Sequence, residues 1–350
     1  MSDSAPPKPS IKTLGTFQRK SVSVSQESLI ETELLQQGRL LPLVVKPNVD
    51  GINLITWAQS NREFVEINLL KHGGILFRDW HMKSVAEFEQ FSKAAAGEDL
   101  LDYSYRSTPR SEVSGKVYSS TEYPADQFIP LHNEMAYTRT WPKKIAFYCV
   151  KTAEQGGETP IADSKKVFER IDPKIRERFI EKKVLYVRNY GGGLDLPWQN
   201  VFQTSHKSEV EAFCCNAGIE FTWIDGDRLR TRQVCQAVAQ HPQTGKTVWF
   251  NQAHLFHVSS LAPEVRASFL AEFKEEDLPR NAYYGDGSPL ESSALDEIRE
   301  AYQQETISFP WQEGDILLLD NMLTAHGRTP FVGPRKVVVT MAGELHSKDF

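Results

Sequence analysis

Beyond Gly97 the chain becomes a succession of short β-rich runs: VYSS (117–120), FIPLHNE (128–134), IAFYCV (145–150), VLYVRNY (184–190), FTWI (221–224), TVWFN (247–251), DILLLD (315–320) and KVVVT (336–340). Helical segments interrupt this series within about 164–305. Many short strands broken by one insertion do not fit the regular strand–helix alternation of a doubly wound sheet. The expected fold is mainly β with helical additions: a jelly-roll core with a helical insertion.

The flanks are consistent with one elaborated domain. Residues 1–25 are polar and carry three prolines, which predicts a disordered arm ahead of a single domain over 26–350. Apolar residues at Leu54, Trp57, Ala58, Val65 and Leu69 predict a helix from about Asn53 to Lys71, stopped by Gly73 and Gly74. GILFRDW then reads as a buried strand. Ser84 with Glu87 predicts a capped helix carrying Phe88 and Phe91. Pro173 after Asp172 marks another helix start, and Ser208 with Glu211 a third, ending at Gly218.

Composition removes several function classes. A net charge of -6 argues against a broad footprint on nucleic acid or anionic membrane. No apolar run is long enough to span a bilayer. MSDSAPPKPS lacks the apolar stretch of a secretory signal. Four cysteines without a CxxC pair suit a reducing, cytoplasmic setting, with the thiols as small core residues.

The chemistry concentrates at Leu131-His132-Asn133-Glu134. On a strand, alternate side chains share a face, so His132 and Glu134 would present an imidazole and a carboxylate to one ion. His326, after DILLLD, can supply a third ligand. Two histidines and one carboxylate on one face form the donor set of non-haem Fe(II) oxygenases. A 2-oxoglutarate cosubstrate would chelate the iron, and its distal carboxylate would need a buried guanidinium. Arg335, at the start of KVVVT, is preferred over Arg328, because Gly327 and Thr-Pro suggest a turn that leaves Arg328 at the rim. Thr159 in GGETP could join Arg335; its alternative is a turn-associated threonine.

LHNE, GGETPIADS, GDILLLDN and AHGRTPFVGPR together resemble the taurine dioxygenase-like (TauD/TfdA) superfamily of Fe(II)- and 2-oxoglutarate-dependent oxygenases, over about residues 70–345. The resemblance implies a double-stranded β-helix (jelly-roll, cupin-like) core with His132, Glu134 and His326 as iron ligands and Thr159 and Arg335 as cosubstrate anchors, with O2 as the second cosubstrate. Glutamate in place of the usual aspartate is similar to clavaminate synthase-like enzymes and to SyrP-like tailoring hydroxylases of nonribosomal peptide pathways. Val339 stands where the sulfonate-acting branch carries a second arginine. Glu134 also fills the corner that related halogenases leave for chloride.

The implied function is hydroxylation of an unactivated C–H bond, at the β-carbon of an amino acid or of an aminoacyl or peptidyl unit in natural-product biosynthesis. Desaturation, cyclisation and a non-catalytic jelly-roll sensor are the alternatives. The substrate would be a small molecule or a carrier-protein-bound aminoacyl group, with no nucleic acid or membrane partner and a homo-oligomer left open. Arg110 is a candidate for a substrate carboxylate, against an ordinary surface arginine. Asn251 and His254 are candidate pocket residues; His254 with His257 is a weaker metal pair. Arg228, Arg230 and Arg232 alternate along a possible edge strand, as a solvated face or a carrier-docking patch. Tyr190 and the glycines that follow suggest a lid.

Overall fold

The computed structural model describes residues 29–102, 110–121, 123–191 and 196–347; the expected N-terminal arm lies outside them. The strands run in chain order: β1 (Ile30–Gln36), β2 (Arg39–Pro47), β3 (Gly74–Phe77), β4 (Glu112–Ser114), β5 (Val117–Ser119), β6 (Ile129–His132), β7 (Thr140–Lys151), β8 (Gln155–Gly156) and β9 (Ile161–Asp163). Then come β10 (Val184–Tyr190), β11 (Glu220–Ile224), β12 (Arg228–Cys235), β13 (Val238–Gln240), β14 (Thr247–Trp249) and β15 (Arg280–Tyr284). Last are β16 (Ile316–Asp320), β17 (Thr324–Arg328), β18 (Phe331–Val332) and β19 (Lys336–His346).

An eight-stranded sheet, β1-β2-β3-β16-β7-β19-β5-β4, forms one wall of the jelly roll. The three-stranded sheet β6-β17-β9 is the smaller wall, flanked by the β8–β18 pair. The continuous apolar runs have a simple cause. Along β16, Ile316 and Leu318 pack toward the N-terminal helices with Phe77, Phe88 and Phe91, whereas Leu317 and Leu319 point the other way with Phe147, Ile161 and Val339. β16 is therefore covered on both faces, and neither side of its pleat can be polar.

Between β9 and β16 the chain builds a second antiparallel sheet, β11-β12-β10-β15, a β13–β14 hairpin and several helices. β12 lies between β11 and β10, so Arg228, Arg230 and Arg232 are not on an edge strand. Each faces an acid: Arg228 pairs with Asp225, Arg230 with Asp277, and Arg232 lies 4.0 Å from Glu220.

Several local expectations shift. The helix predicted over 53–71 is two helices, Leu54–Ser60 and Arg62–His72, broken at Asn61 and ended at Gly73 with φ 77°. Ser84 accepts from the Glu87 N–H at 3.1 Å and caps Val85–Ala96. Ser208 does not cap; the N-cap lies two residues earlier at His206, whose side chain makes no capping bond, and the helix is Lys207–Ala217. Cys149, Cys214 and Cys235 are buried and Cys215 exposed, all as free thiols. Among the described residues, no helix is long and apolar enough to cross a membrane. Gly191 aside, the glycine run proposed as a lid lies outside the described residues.

The stretch read as a turn around Gly327 is strand β17, fully buried. Gly327 is required there by proximity: a Cβ at this position would lie 2.5 Å from the Ile129 carbonyl oxygen of β6. Gly327→Ala is expected to force the two strands apart at a cost of about 1–3 kcal/mol. Urea unfolding checks this, and an unchanged midpoint would contradict the close approach.

Candidate metal centre

β6 and β17 pair antiparallel with His132 opposite His326, and the two imidazole centroids are 4.6 Å apart. His132 Nδ1 lies 2.8 Å from the Pro130 carbonyl. That contact assigns the proton to Nδ1 and leaves Nε2 with a free lone pair, the usual arrangement for a ligating histidine.

Glu134 arrives differently from the alternation argument. β6 ends at His132, and Glu134 sits in the turn that follows, ahead of Met135 at φ 58°. The turn is held by side chains. Asn321 Oδ1 accepts the Glu134 N–H at 2.7 Å, and Asn321 Nδ2 donates to the Glu134 carbonyl at 3.0 Å. Asn133 Nδ2 donates to Ser164 Oγ at 2.9 Å. The outcome is one cluster in which ligand atoms of His132, Glu134 and His326 all lie within 4.8 Å of one another.

The donor set suits a divalent cation. Burial, and then the neighbouring His326, pull the His132 imidazole down to about 4, and burial likewise lowers His326. Both rings are therefore neutral at pH 7. Burial alone would raise the Glu134 carboxyl, but Arg110, followed by the two imidazoles, holds it well below the usual carboxylate range. Two neutral nitrogens and one ionised oxygen remain, which is the chemistry of a borderline metal site. Arg110 Nη2 touches Glu134 Oε2 at 2.7 Å, with both side chains 3% exposed. The sequence candidate for a substrate carboxylate thus lies against the protein's own carboxylate.

A cavity beside the cluster is lined by Arg110, Ser120, His132, Thr159, His326 and Arg335, among others. Arg335 donates through Nε to the Gly157 carbonyl at 2.8 Å and through Nη1 to Ser120 Oγ at 3.2 Å. Burial, then Arg328, pulls it down to about 10, so it remains a cation at neutral pH. Arg328 also borders the cavity, but it is buried rather than at a rim. Its guanidinium donates to the carbonyls of Tyr123 (3.0 Å), Pro124 (2.6 Å) and Gln127 (2.9 Å), so peptide oxygens already occupy both terminal nitrogens. Thr159 is buried, and its hydroxyl accepts from Trp311 Nε1 at 3.2 Å. Having accepted there, the hydroxyl is left to donate its single proton, as a carboxylate would require.

Asn251 and His254 are not brought to this cavity. Asn251 Nδ2 donates to the Ala237 carbonyl at 2.7 Å, and its Oδ1 accepts the Ala253 N–H at 3.0 Å. His254 lies behind β6, with Nε2 3.0 Å from the Leu131 carbonyl and its ring stacked on Tyr302 at 4.7 Å. Burial lowers it to about 3. His257 bonds Ser259 instead of sharing an ion with His254. These polar side chains fix backbone, which their residue types alone do not reveal. Ser120 lies in GKVYSSTEYP, which the resemblance makes a possible pocket wall; two contributors, Trp311 and Asn321, escaped sequence reasoning. Only Asn321 left a signal, as a polar residue at the end of the apolar run GDILLLDN.

The family model for taurine catabolism dioxygenase TauD, TfdA matches residues 37–341. The dapdiamide synthesis protein DdaC of Enterobacter agglomerans is 41% identical over 86% of this chain and 95% of its own length. A clavaminate synthase-like protein of Arabidopsis thaliana is 31% identical over 89% of this chain and 98% of its own. Among solved structures, PvcB of Pseudomonas aeruginosa superposes with a TM-score of 0.55 at 13% identity, over 94% of this chain and 98% of that one.

Removing the counter-ion of a buried carboxylate is costly. Arg110→Met is expected to destabilise the metal-free protein by about 3–5 kcal/mol. Chemical denaturation in the presence of chelator measures it, and a midpoint equal to wild type would contradict the pairing.

Proposed function

The chain belongs to the TauD/TfdA dioxygenase family, and from that premise we propose that it hydroxylates the β-carbon of an amino acid, or of an aminoacyl or peptidyl unit, in natural-product biosynthesis. It is a 2-oxoglutarate-dependent dioxygenase that uses Fe(II), 2-oxoglutarate and O2. The iron centre, when loaded, supplies oxidation of an unactivated C–H bond coupled to decarboxylation of the keto acid.

In this reading His132, Glu134 and His326 hold the iron. They offer it two neutral nitrogens and one anion without prior proton loss at pH 7. Arg335 and Thr159 take the distal carboxylate of 2-oxoglutarate, the arginine as a cation and the threonine as a donor oriented by Trp311. Phe147, packed on the His326 ring at 5.0 Å, helps to keep water from that side of the site.

The observation that carries the substrate class is the second guanidinium. Arg335 accounts for the cosubstrate and Arg328 is occupied by carbonyls, which leaves Arg110, inside the cavity, to meet a carboxylate on the substrate. Once Glu134 is bound to metal its charge is shared, and Arg110 can turn part of its donor fork to that second anion. An amino acid or a peptidyl acid fits this demand. The name of the relative DdaC, a dapdiamide synthesis protein, supports a place among natural-product enzymes. A carrier-bound aminoacyl unit would need a different use of Arg110, because its carboxylate is esterified.

The test is turnover of free amino acids, short peptidyl acids and their carrier-bound forms with Fe(II), 2-oxoglutarate and O2. Hydroxylated product in step with succinate is expected for at least one free acid, and Glu134→Ala should abolish it. Undiminished turnover in Glu134→Ala would contradict the ligand assignment; products from carrier-bound substrates alone would contradict the role given to Arg110.

Trp311→Phe removes one hydrogen bond from Thr159 while keeping the ring. It is expected to weaken 2-oxoglutarate binding about fivefold, the worth of roughly 1 kcal/mol. Anaerobic titration of the iron–keto acid absorption band reads this, with 2-oxobutanoate, which has no distal carboxylate, as the control. Equal weakening of both keto acids would contradict an effect through the distal carboxylate.

A further inference from the structure

We propose that Asn321 is a positioning residue for the metal centre: its side-chain amide fixes the backbone of Glu134 and thereby aims the ligand carboxylate. The inference rests on the assignment of His132, Glu134 and His326 as the ligand set.

The argument starts from what the turn lacks. The ladder between β6 and β17 stops at His132, so two residues later Glu134 has no strand neighbour to pair its N–H and C=O. A buried peptide group without partners is costly. Asn321, itself fully buried, supplies both partners from one side chain: Oδ1 accepts the Glu134 N–H at 2.7 Å, and Nδ2 donates to the Glu134 carbonyl at 3.0 Å. The other amide proton goes to the Pro142 carbonyl at 2.9 Å. The amide thus stands in for a strand, pairing with a peptide group 187 residues away in sequence. Asn133 returns a bond, its Nδ2 donating to the Asn321 carbonyl at 2.7 Å. Gln252 Nε2 donates to the Asn133 carbonyl at 2.7 Å and closes the far side of the turn.

Asn321 is also close along the chain to another ligand. It opens the short connection from β16 to β17, the strand of His326. Asp320 Oδ1 accepts the N–H groups of both Met322 and Leu323 at 2.9 Å, so this connection has a fixed shape. The spacing between the Glu134 carboxylate and the His326 imidazole is therefore set through one short, rigid turn. From the long segment between β9 and β16 come only bonds to the neighbouring Asn133, through Ser164 and Gln252. Such outer contacts to ligand backbone are a recognised way of tuning metal affinity.

The side-chain type follows from the bonds. Aspartate has the same size and keeps the acceptor for the Glu134 N–H, but it sets a carboxylate against the carbonyls of Glu134 and Pro142. Alanine leaves all three groups without partners.

The experiment is Mn(II) titration of full-length protein, with free Mn(II) read by EPR, for wild type, Asn321→Asp, Asn321→Ala, Glu134→Ala and Phe91→Leu. Phe91 lies in the separate core against the N-terminal helices and serves as a control for loss of stability without change at the site. Asn321→Asp and Asn321→Ala are expected to weaken Mn(II) at least tenfold while Phe91→Leu binds as wild type. They should also displace the absorption band of the anaerobic Fe(II)–2-oxoglutarate complex. If Asn321→Ala does not fold, Asn321→Asp, which retains one of the three bonds, carries the test. Folded Asn321 variants that bind Mn(II) within twofold of wild type, while Glu134→Ala has lost it, would overturn the positioning role and leave the ligand set standing. Wild-type affinity in Glu134→Ala would overturn the ligand set, and this inference with it.

Discussion

The antiparallel pairing of β6 with β17 is the constraint from which the site follows. It sets two imidazoles face to face across a ladder, and it needs a residue without a side chain at 327, where the strands come closest. β17 is itself pinned between β6 and β9, with His326 paired to His132 on one side and to Ile161 on the other. The backbone of His132 cannot move away without breaking the β6–β17 ladder, nor that of His326 without breaking ladder bonds on both sides of β17. The rigidity of the sheet is thus the source of preorganisation, and the carboxylate is added to it by side-chain hydrogen bonds.

Burying an ionised carboxylate among aromatic and aliphatic residues would ordinarily fail. Here Arg110 supplies the counter-charge, at the same oxygen that faces His326 at 3.7 Å. The pair keeps Glu134 ionised, so the site is charged for a dication before one arrives. The same guanidinium lines the cavity beside the His132–Glu134–His326 cluster. Arg335 and Thr159 also line that cavity, the arginine already holding two fixed partners and the threonine one, which defines what remains for a ligand. Specific recognition here is largely a matter of which hydrogen-bonding positions the protein has left over.

The sequence was informative where residue type determines chemistry and less so where geometry does. Apolar β16 and β19 were legible because strands covered on both faces admit no alternation. His132, Glu134 and His326 were legible as metal-binding types, yet period-two alternation was not what joins them, since Glu134 lies off the strand. Gly327 and the following Thr-Pro resemble a turn in one dimension, but the glycine answers a neighbouring backbone that only the fold brings near. Asn251 and His254 were pocket candidates because the resemblance puts their segment near the substrate mouth; their side chains bond the interior carbonyls of Ala237 and Leu131. Trp311 carried no signal, since a tryptophan that orients a threonine is indistinguishable in sequence from one that fills a core. β12 read as an edge because its arginines alternate; its neighbours β11 and β10 on either side, and Asp277 facing Arg230, are set by the fold.

The central claim is that one ion sits among His132, Glu134 and His326. A crystal structure of the protein grown with Mn(II) and 2-oxoglutarate, with the metal located by anomalous scattering, tests it most directly. The account predicts a single strong peak within direct coordination distance of Nε2 of His132, a carboxylate oxygen of Glu134 and a ring nitrogen of His326. A peak elsewhere, or one lacking any of these three side chains as a ligand, would contradict it.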